Sequence, residues 1–259
     1  MRNTEQRWSA EHGRQFDEHY KTIRGYVRRE VTRANLSAEL GDFLKFPRRI
    51  IDMQGGRGDD ARWLAEQHHE VVLADTDATA LSEARQRDYP ALEDILLGDT
   101  QTALDRYGPG SFDMALSHGA LMYSDSPEDE LNQLGSLLNK GGYLSLLTAG
   151  KFGKINRFER SGQSAALTRL LATDKYINNL GLEAHAYLPQ DIADMLMDNG
   201  FDKPAWFGVR IHSDKDARQF EEVPAFHRNR ILDWELRSSR DPSQRPAGQM
   251  LHFIARKNT

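Results

Sequence analysis

The chain has 259 residues, 39% hydrophobic and 28% charged, with a formal net charge of −5 and no cysteine. That length supports one sizeable core, or one core with an insertion. The missing cysteines exclude disulfides and thiolate metal sites, and the net negative charge excludes bulk attraction to nucleic acid, so a polyanionic partner needs a local basic patch.

In chain order, Phe16, Tyr20, Ile23, Val27 and Val31 recur at spacings of three and four and predict one amphipathic helix. A second, short helix is expected near Leu36 to Leu44, ending before Pro47. Strands and helices then alternate. Ile50 to Met53 is the first strand, and Ala61, Leu64 and Ala65 lie on the helix after it. Val71 to Asp75 is the second strand. Asp77 is expected to cap a helix carrying Leu81 and Ala84, with Pro90 just past its end. Ile95 to Leu97 and Phe112 to Ser117 are the third and fourth strands. Ser126-Pro127 opens a helix with Leu131, Leu134, Leu137 and Leu138 inward, ended by Gly141-Gly142. Tyr143 to Leu147 is the fifth strand.

The alternation breaks at Gly150, and residues 150–187 read as a polar segment without clean periodicity. Pro189 opens a helix with Ile192, Met195 and Leu196, closed by Gly200. Trp206 to Ile211 is a sixth strand, a helix runs through Phe226, Ile231 and Trp234, and Leu251 to Ala255 is the last strand. The pattern predicts a doubly wound α/β fold, a mostly parallel seven-stranded sheet with an antiparallel last strand. It is expected to be one domain over residues 1–259: N-terminal helices over 1–46, a cofactor-binding half over 47–149, an insertion or lid over 150–187 and a C-terminal half over 188–259.

The most informative stretch is Asp52-Met53-Gln54-Gly55-Gly56-Arg57-Gly58, a strand-end acid followed by a glycine cluster and a helix start. Such a turn gives a backbone floor that an adenosine-bearing cofactor can approach. Gly56-Arg57-Gly58-Asp59-Asp60-Ala61 also satisfies the dinucleotide pattern G-x-G-x-x-A. Two features weigh against a dinucleotide. Asp59 and Asp60 occupy the helix N-terminus where a pyrophosphate would bind, and Asp52 would add a third negative charge. A cationic cofactor without phosphate, S-adenosylmethionine, makes better sense of these acids.

The chain resembles the class I S-adenosylmethionine-dependent methyltransferases. The residues that carry the resemblance are Asp52 with Gly55-Gly56-Arg57-Gly58, Asp75 ending the second strand, Gly98-Asp99 after the third, and Phe112-Asp113 leading the fourth. Within that class it is most similar to the tRNA 5-carboxymethoxyuridine methyltransferase family, in Arg24-Gly25-Tyr26-Val27-Arg28, Ser117-His118-Gly119-Ala120-Leu121, Gly208-Val209-Arg210-Ile211-His212 and Leu251 to Lys257. The resemblance implies the class I methyltransferase fold and methyl transfer from S-adenosylmethionine. It implies that Asp75, followed by Thr76, accepts the ribose hydroxyls, that Asp99 contacts the adenine amino group with Thr100 beside it, and that Arg28 and His118 contact the cofactor. Read alone, Arg28 is either a solvated helix arginine or a partner for the cofactor's carboxylate. Asp52, Gln54, Gly55, Gly56 and Gly58 complete the expected cofactor contacts. Gln54 departs from the family pattern, which has glycine there; its side chain either crowds the methionine portion or hydrogen-bonds its ammonium or carboxylate.

The acceptor side is less determined. Lys151, Lys154, Arg157, Arg160, Arg169 and Lys175 face only Glu159 and Asp174 in residues 151–175, with Phe152, Phe158 and Tyr176 interleaved. That is either a nucleic-acid surface or a mobile lid closing on a small acidic substrate. Arg210, Lys151 and Tyr187 are the candidate substrate-binding residues. No catalytic acid, base or nucleophile pattern is visible, which suits methylation of a carboxylate, already nucleophilic at neutral pH. No metal-ligand spacing is found. The expected partner is tRNA or otherwise a small-molecule acceptor; a dinucleotide-dependent oxidoreductase and a non-catalytic cofactor-binding protein are the alternatives. No run approaches about 18 consecutive apolar residues, and Met1 to Trp8 carries no signal-like apolar segment, so a cytoplasmic protein away from membranes is expected.

Overall fold

The computed structural model describes residues 10–87 and 92–258. Its strands are β1 (Arg49–Met53), β2 (Glu70–Asp75), β3 (Leu92–Leu97), β4 (Phe112–His118), β5 (Leu138–Ala149), β6 (Lys175–Ile177), β7 (Glu183–His185), β8 (Ala205–Val209) and β9 (Met250–Arg256). Seven of them form one sheet in the order β3-β2-β1-β4-β5-β9-β8, as the alternation predicts. The first five pair in parallel, in registers such as Ile50↔Val71, Leu73↔Ile95, Ile50↔Met114 and Met114↔Tyr143, and the last strand is antiparallel. β6 and β7 form a separate antiparallel ribbon. The chain divides into two compact units, each taken by itself below.

The strand-rich unit comprises Glu39–Leu147, Ile192–Ala205 and Phe253–Thr259. Its centre is apolar on both faces: Ile50, Ile51, Met53, Val71 to Ala74 and Met114 to Leu116 are fully buried, as parallel strands covered by helices require. The helices α3 (Asp59–Ala65), α4 (Ala78–Gln86), α5 (Thr100–Tyr107) and α6 (Pro127–Leu137) supply part of that cover with Ala61, Leu64, Leu81, Ala84, Ala103, Leu131 and Leu134. Asp77 caps α4 as expected, its Oδ1 accepting the N–H groups of Thr79 and Ala80 at 2.9 and 3.2 Å. Pro90 lies outside the described residues. One boundary differs: α6 stops at Leu137, Leu138 already belongs to β5, and Gly141-Gly142 lie inside that strand. The physical reason is Lys257, whose ammonium donates to the carbonyls of Gly135 and Leu138 at 2.7 and 3.0 Å. It satisfies helix-end acceptors that a glycine cap would otherwise serve. The strand order reverses between β1 and β4, so the turns after their carboxyl ends, at Gln54 and His118, form the crevice where ligands of such sheets bind.

The helix-rich unit comprises Met1–Ala38, Thr148–Asp191 and Trp206–His252. The single N-terminal helix expected from periodicity is two, α1 (Ala10–Tyr20) and α2 (Ile23–Leu40), and α2 absorbs the start of the expected second helix. The break has a cause. Ile23 N–H donates to Arg218 O at 3.0 Å and Phe220 N–H to Lys21 O at 2.8 Å, so this stretch pairs with a distant segment instead of continuing the helical ladder. Gly25 permits the sharp elbow, since a Cβ there would lie 2.4 Å from Tyr20 Cα. Residues 150–187, unpatterned in sequence, hold α7 (Lys151–Arg160), α8 (Ser164–Thr173) and the β6–β7 ribbon. The residues that bury one face of α7 include Gly153, Lys154 and Phe158, so the expected apolar signal is broken by a lysine. The C-terminal helix expected through Phe226, Ile231 and Trp234 is α10 (Ala225–Arg240), on which Phe226 and Trp234 are exposed and Glu235, Ser238 and Ser239 are buried. The expected sixth strand ends at Val209, because Arg210 turns into the left-handed region at φ +59°. α9 (Pro189–Asp198) forms as predicted.

Candidate cofactor and acceptor sites

In the strand-rich unit, the turn after β1 is drawn tight by backbone bonds from Gly55 N–H to Ala74 O at 3.2 Å and from Gly58 N–H to Gly55 O at 2.9 Å. Gly56 has φ +58° and open space where a Cβ would stand. Gly55 has none, for a Cβ would lie 2.5 Å from Asp52 Oδ2. Asp52 is buried beneath the turn, and its Oδ2 accepts the Ala61 N–H at 3.2 Å. Burial, followed by the repulsion of Asp60, raises its pKa well above the ordinary aspartate value. Asp75 accepts Gly56 N–H on Oδ2 at 2.7 Å and Asp77 N–H on Oδ1 at 2.8 Å. The Thr76 N–H is a further backbone donor to this carboxylate, which with about four lone-pair sites retains acceptor capacity for a sugar hydroxyl. Burial raises its pKa, partly offset by those backbone donors. Thr76 beside it is exposed.

Asp99 is exposed and caps α5, its Oδ1 accepting from Thr102 N–H at 2.9 Å and Thr102 Oγ1 at 2.7 Å. Those bonds hold its pKa below the ordinary value. Thr100 is buried and donates to Glu130 Oε1 at 2.9 Å. Burial raises the Glu130 pKa, with a smaller opposing contribution from the Gln54 amide. Gln54 itself has φ +50°, and its Oε1 is buried without a partner. His118, at the end of β4, is clamped between Asp60 (Nδ1–Oδ2, 3.0 Å) and Ser145 (Nε2–Oγ, 2.7 Å). Sequence reasoning missed Glu130; a glutamate in the first turn of a helix reads there as a dipole partner.

This donor set fits S-adenosylmethionine. The glycine turn has room for a ligand at Gly56, Asp75 has acceptor capacity for a ribose, and Asp60 and Asp75 both repel Asp52, a strain that a cationic ligand relieves. The same carboxylates oppose a pyrophosphate.

In the helix-rich unit the basic residues converge. Arg28 is 5% exposed, not solvated, with its guanidinium 5.2 Å from the ring centres of Phe16 and Tyr20. Arg210 is 8% exposed; it pairs with Asp214 and approaches His19 Nε2 at 3.4 Å. Arg24 donates to Asp214 O at 3.4 Å, and Arg157 lies 3.9 Å from Asp214 Oδ2. Lys154 is 6% exposed, with Nζ 3.3 Å from Gln249 Oε1 and 4.9 Å from the Tyr176 ring centre. Of the three expected substrate residues, Arg210 joins this cluster. Lys151 pairs with Asp174, and its N–H donates to Tyr187 O at 2.9 Å. Tyr187 is buried beside His185, and burial pushes its pKa up to about 12. Lys154, Arg24, Arg157 and Asp214 were not singled out as ligands by sequence; a basic run on one helix does not reveal which cation turns inward.

Residues 51–146 match the family described as methyltransferase domain. Together with the fold, this defines the chain as an S-adenosylmethionine-dependent methyltransferase of the class I architecture. Over 252 residues it is 24% identical to the tRNA 5-carboxymethoxyuridine methyltransferase of Escherichia coli (strain K12), covering 92% of this chain and 91% of that protein. Among solved structures it is similar to a putative S-adenosylmethionine-dependent methyltransferase from Listeria monocytogenes (TM-score 0.60, 17% identity, 90% of this chain and 99% of that one). It is also similar to the 1,6-didemethyltoxoflavin-N1-methyltransferase of Burkholderia thailandensis, solved with S-adenosylhomocysteine (TM-score 0.54, 17% identity, 100% and 98%). No helix among the described residues is long and apolar enough to cross a membrane.

Proposed function

We propose that this methyltransferase acts on tRNA in the cytoplasm, esterifying a carboxylate on a modified uridine. The observation that carries the reading is the division of charge. The strand-rich unit holds 12 Lys and Arg against 23 Asp and Glu, whereas the helix-rich unit holds 22 against 16. A protein of net charge −5 thus has one body of balance +6, the local basic region that a polyanion needs. That body also exposes stacking surfaces: Trp234 is 56% exposed and lies flat on His212 at 3.8 Å, and Phe226 is 67% exposed with Arg230 5.6 Å from its ring centre. Aromatic faces of this kind stack on unpaired bases. The similarity to the Escherichia coli tRNA enzyme, over nearly the whole length of both chains, supports the same substrate class.

In this reading Asp75 holds the cofactor's ribose, Asp99 and Thr100 flank its adenine, and Asp52 with the Gly55–Gly58 turn shapes the floor. Arg28 and His118 are assigned to cofactor positioning. When bound, S-adenosylmethionine supplies a sulfonium methyl group: a carboxylate oxygen lone pair forms the new O–C bond, the C–S pair stays on sulfur, and no proton moves. The protein's task is then alignment and exclusion of water, which can lower a barrier by roughly 7–11 kcal/mol.

The test is transfer of labelled methyl from the cofactor to tRNA purified from cells lacking this protein. An ester predicts label that mild alkali releases as methanol. No transfer to RNA at any ionic strength would remove the tRNA reading, and alkali-stable label would remove the ester. Transfer to small carboxylic acids, phenols or amines without RNA would identify a metabolite acceptor instead.

A further inference from the structure

Five cations of the helix-rich unit, Arg24 and Arg28 from α2, Lys154 and Arg157 from α7, and Arg210 after β8, act on one another around His19 and the carboxylate of Asp214. Asp216 also faces Arg24 but is paired with Arg218. Gln249 and Tyr176, before β9 and in β6, contribute a neutral acceptor and a ring face to Lys154. The Nε–H donors of both Arg24 and Arg210 are buried without partners. Concentrated, buried positive charge with unspent donors is costly unless an anion completes it.

We propose that this cluster is an anion site that receives the acceptor's carboxylate, with Lys154 and Arg210 as its principal ligands and Arg24 and Arg157 completing the ring of donors. The proposal rests on the tRNA ester reading and deepens it by naming the residues that hold the group to be methylated. A carboxylate is favoured over a backbone phosphate because Lys154 and Arg210 are both more than nine-tenths buried. Only a small terminal group reaches them, whereas a phosphodiester brings a sugar on each side.

The electrostatics agree. Burial, then Arg210, lowers the Lys154 pKa to about 7, while Asp214 opposes the shift. Burial lowers the pKa of Arg210, and burial with Arg210 takes His19 down to about 3. An arriving anion restores the charge on Lys154, so binding takes up a proton and weakens as pH rises above about 7. Esterification removes the ligand's charge, so the product loses its hold on the site.

The experiment uses the full chain with S-adenosylhomocysteine, titrated at constant ionic strength with methoxyacetate, its neutral methyl ester and inorganic phosphate, with thermal unfolding as readout. Methoxyacetate should raise Tm below pH 7, less above it, and the ester should not. Lys154→Met and, as a second variant that leaves the buried Arg210–Asp214 pair intact, Arg157→Gln should lose that response while keeping S-adenosylhomocysteine affinity. Equal responses in wild type and both variants, or an equal response to phosphate, would overturn the proposal. With tRNA as acceptor, Lys154→Met should raise KM roughly tenfold or more; an unchanged KM overturns the anion site while leaving the tRNA reading in place. A Lys154-dependent methoxyacetate response without any transfer to tRNA supports the anion site and removes the tRNA reading.

Discussion

At the scale of single residues, Asp75 and Gln54 make opposite predictions. Asp75 is oriented by the backbone donors of Gly56, Thr76 and Asp77 and keeps acceptor capacity. Asp75→Ala should therefore weaken S-adenosylhomocysteine binding by roughly tenfold to a hundredfold, the value of one or two charge-assisted hydrogen bonds, measured by calorimetry. Gln54→Gly removes a side chain from a left-handed position, φ +50°, that costs about 1 kcal/mol or more for a non-glycine residue. It should keep or improve cofactor affinity, and a large loss in the same titration would mean that the buried Oε1 is a ligand. Lys154 carries a stability prediction. Its folded pKa of about 7 is below the unfolded value of 10.5, so between those values the unfolded chain binds more protons and stability rises with pH. Below pH 7 the penalty is full, on the order of a few kcal/mol. Lys154→Met should raise the Tm of the ligand-free protein at pH 6 and flatten its alkaline rise; an unshifted Tm would mean the lysine is not strained by burial. The acids and glycines of the turn after β1 were legible in sequence, because strand, acid and glycine are consecutive. Glu130 was not, because its link to Gln54 spans 76 positions and has no local signature.

At the scale of elements, the exposed face of α10 is where RNA contact is expected. Trp234→Ala should weaken tRNA binding by about 1–3 kcal/mol, the cost of losing one stacked base, with no change in S-adenosylhomocysteine affinity; filter binding and calorimetry together check it. α10 also shows the limit of periodicity. The apolar Phe226 and Trp234 face outward, and the inward residues are Glu235, Ser238 and Ser239. Their partners explain the inversion: Asn35 Nδ2 donates to Ser239 Oγ at 3.2 Å, and Ser238 Oγ donates to Gln244 Oε1 at 2.8 Å. A polar face is buried when its hydrogen bonds are met from elsewhere in the chain, which a hydropathy pattern does not register. The elbow at Lys21–Ile23 was hidden for the same reason, since residues 218–220 impose it. The parallel strands, by contrast, needed only their own apolar runs to be read.

For the whole molecule, the opposed charge of the two units sets different salt responses. If about four phosphates are neutralised, tRNA affinity should fall roughly fiftyfold over a fourfold rise in monovalent salt, whereas binding of S-adenosylhomocysteine should barely change. A flat RNA response would separate recognition from the basic unit. One buried carboxylate gives this unit a further property. Glu235, fully buried on α10, accepts the N–H groups of Ile211, His212 and Ser213 at 2.7–2.9 Å, immediately after Arg210. The next residue back on the helix, Trp234, stacks on His212. A base stacked on Trp234 and an anion held by Arg210 would thus both bear on the three peptide bonds that Glu235 holds. By linkage, whatever factor a stacked base changes anion affinity by, the anion changes RNA affinity by the same factor, so the two titrations, each run with and without the other ligand, report one coupling between the outer face of α10 and the buried cations.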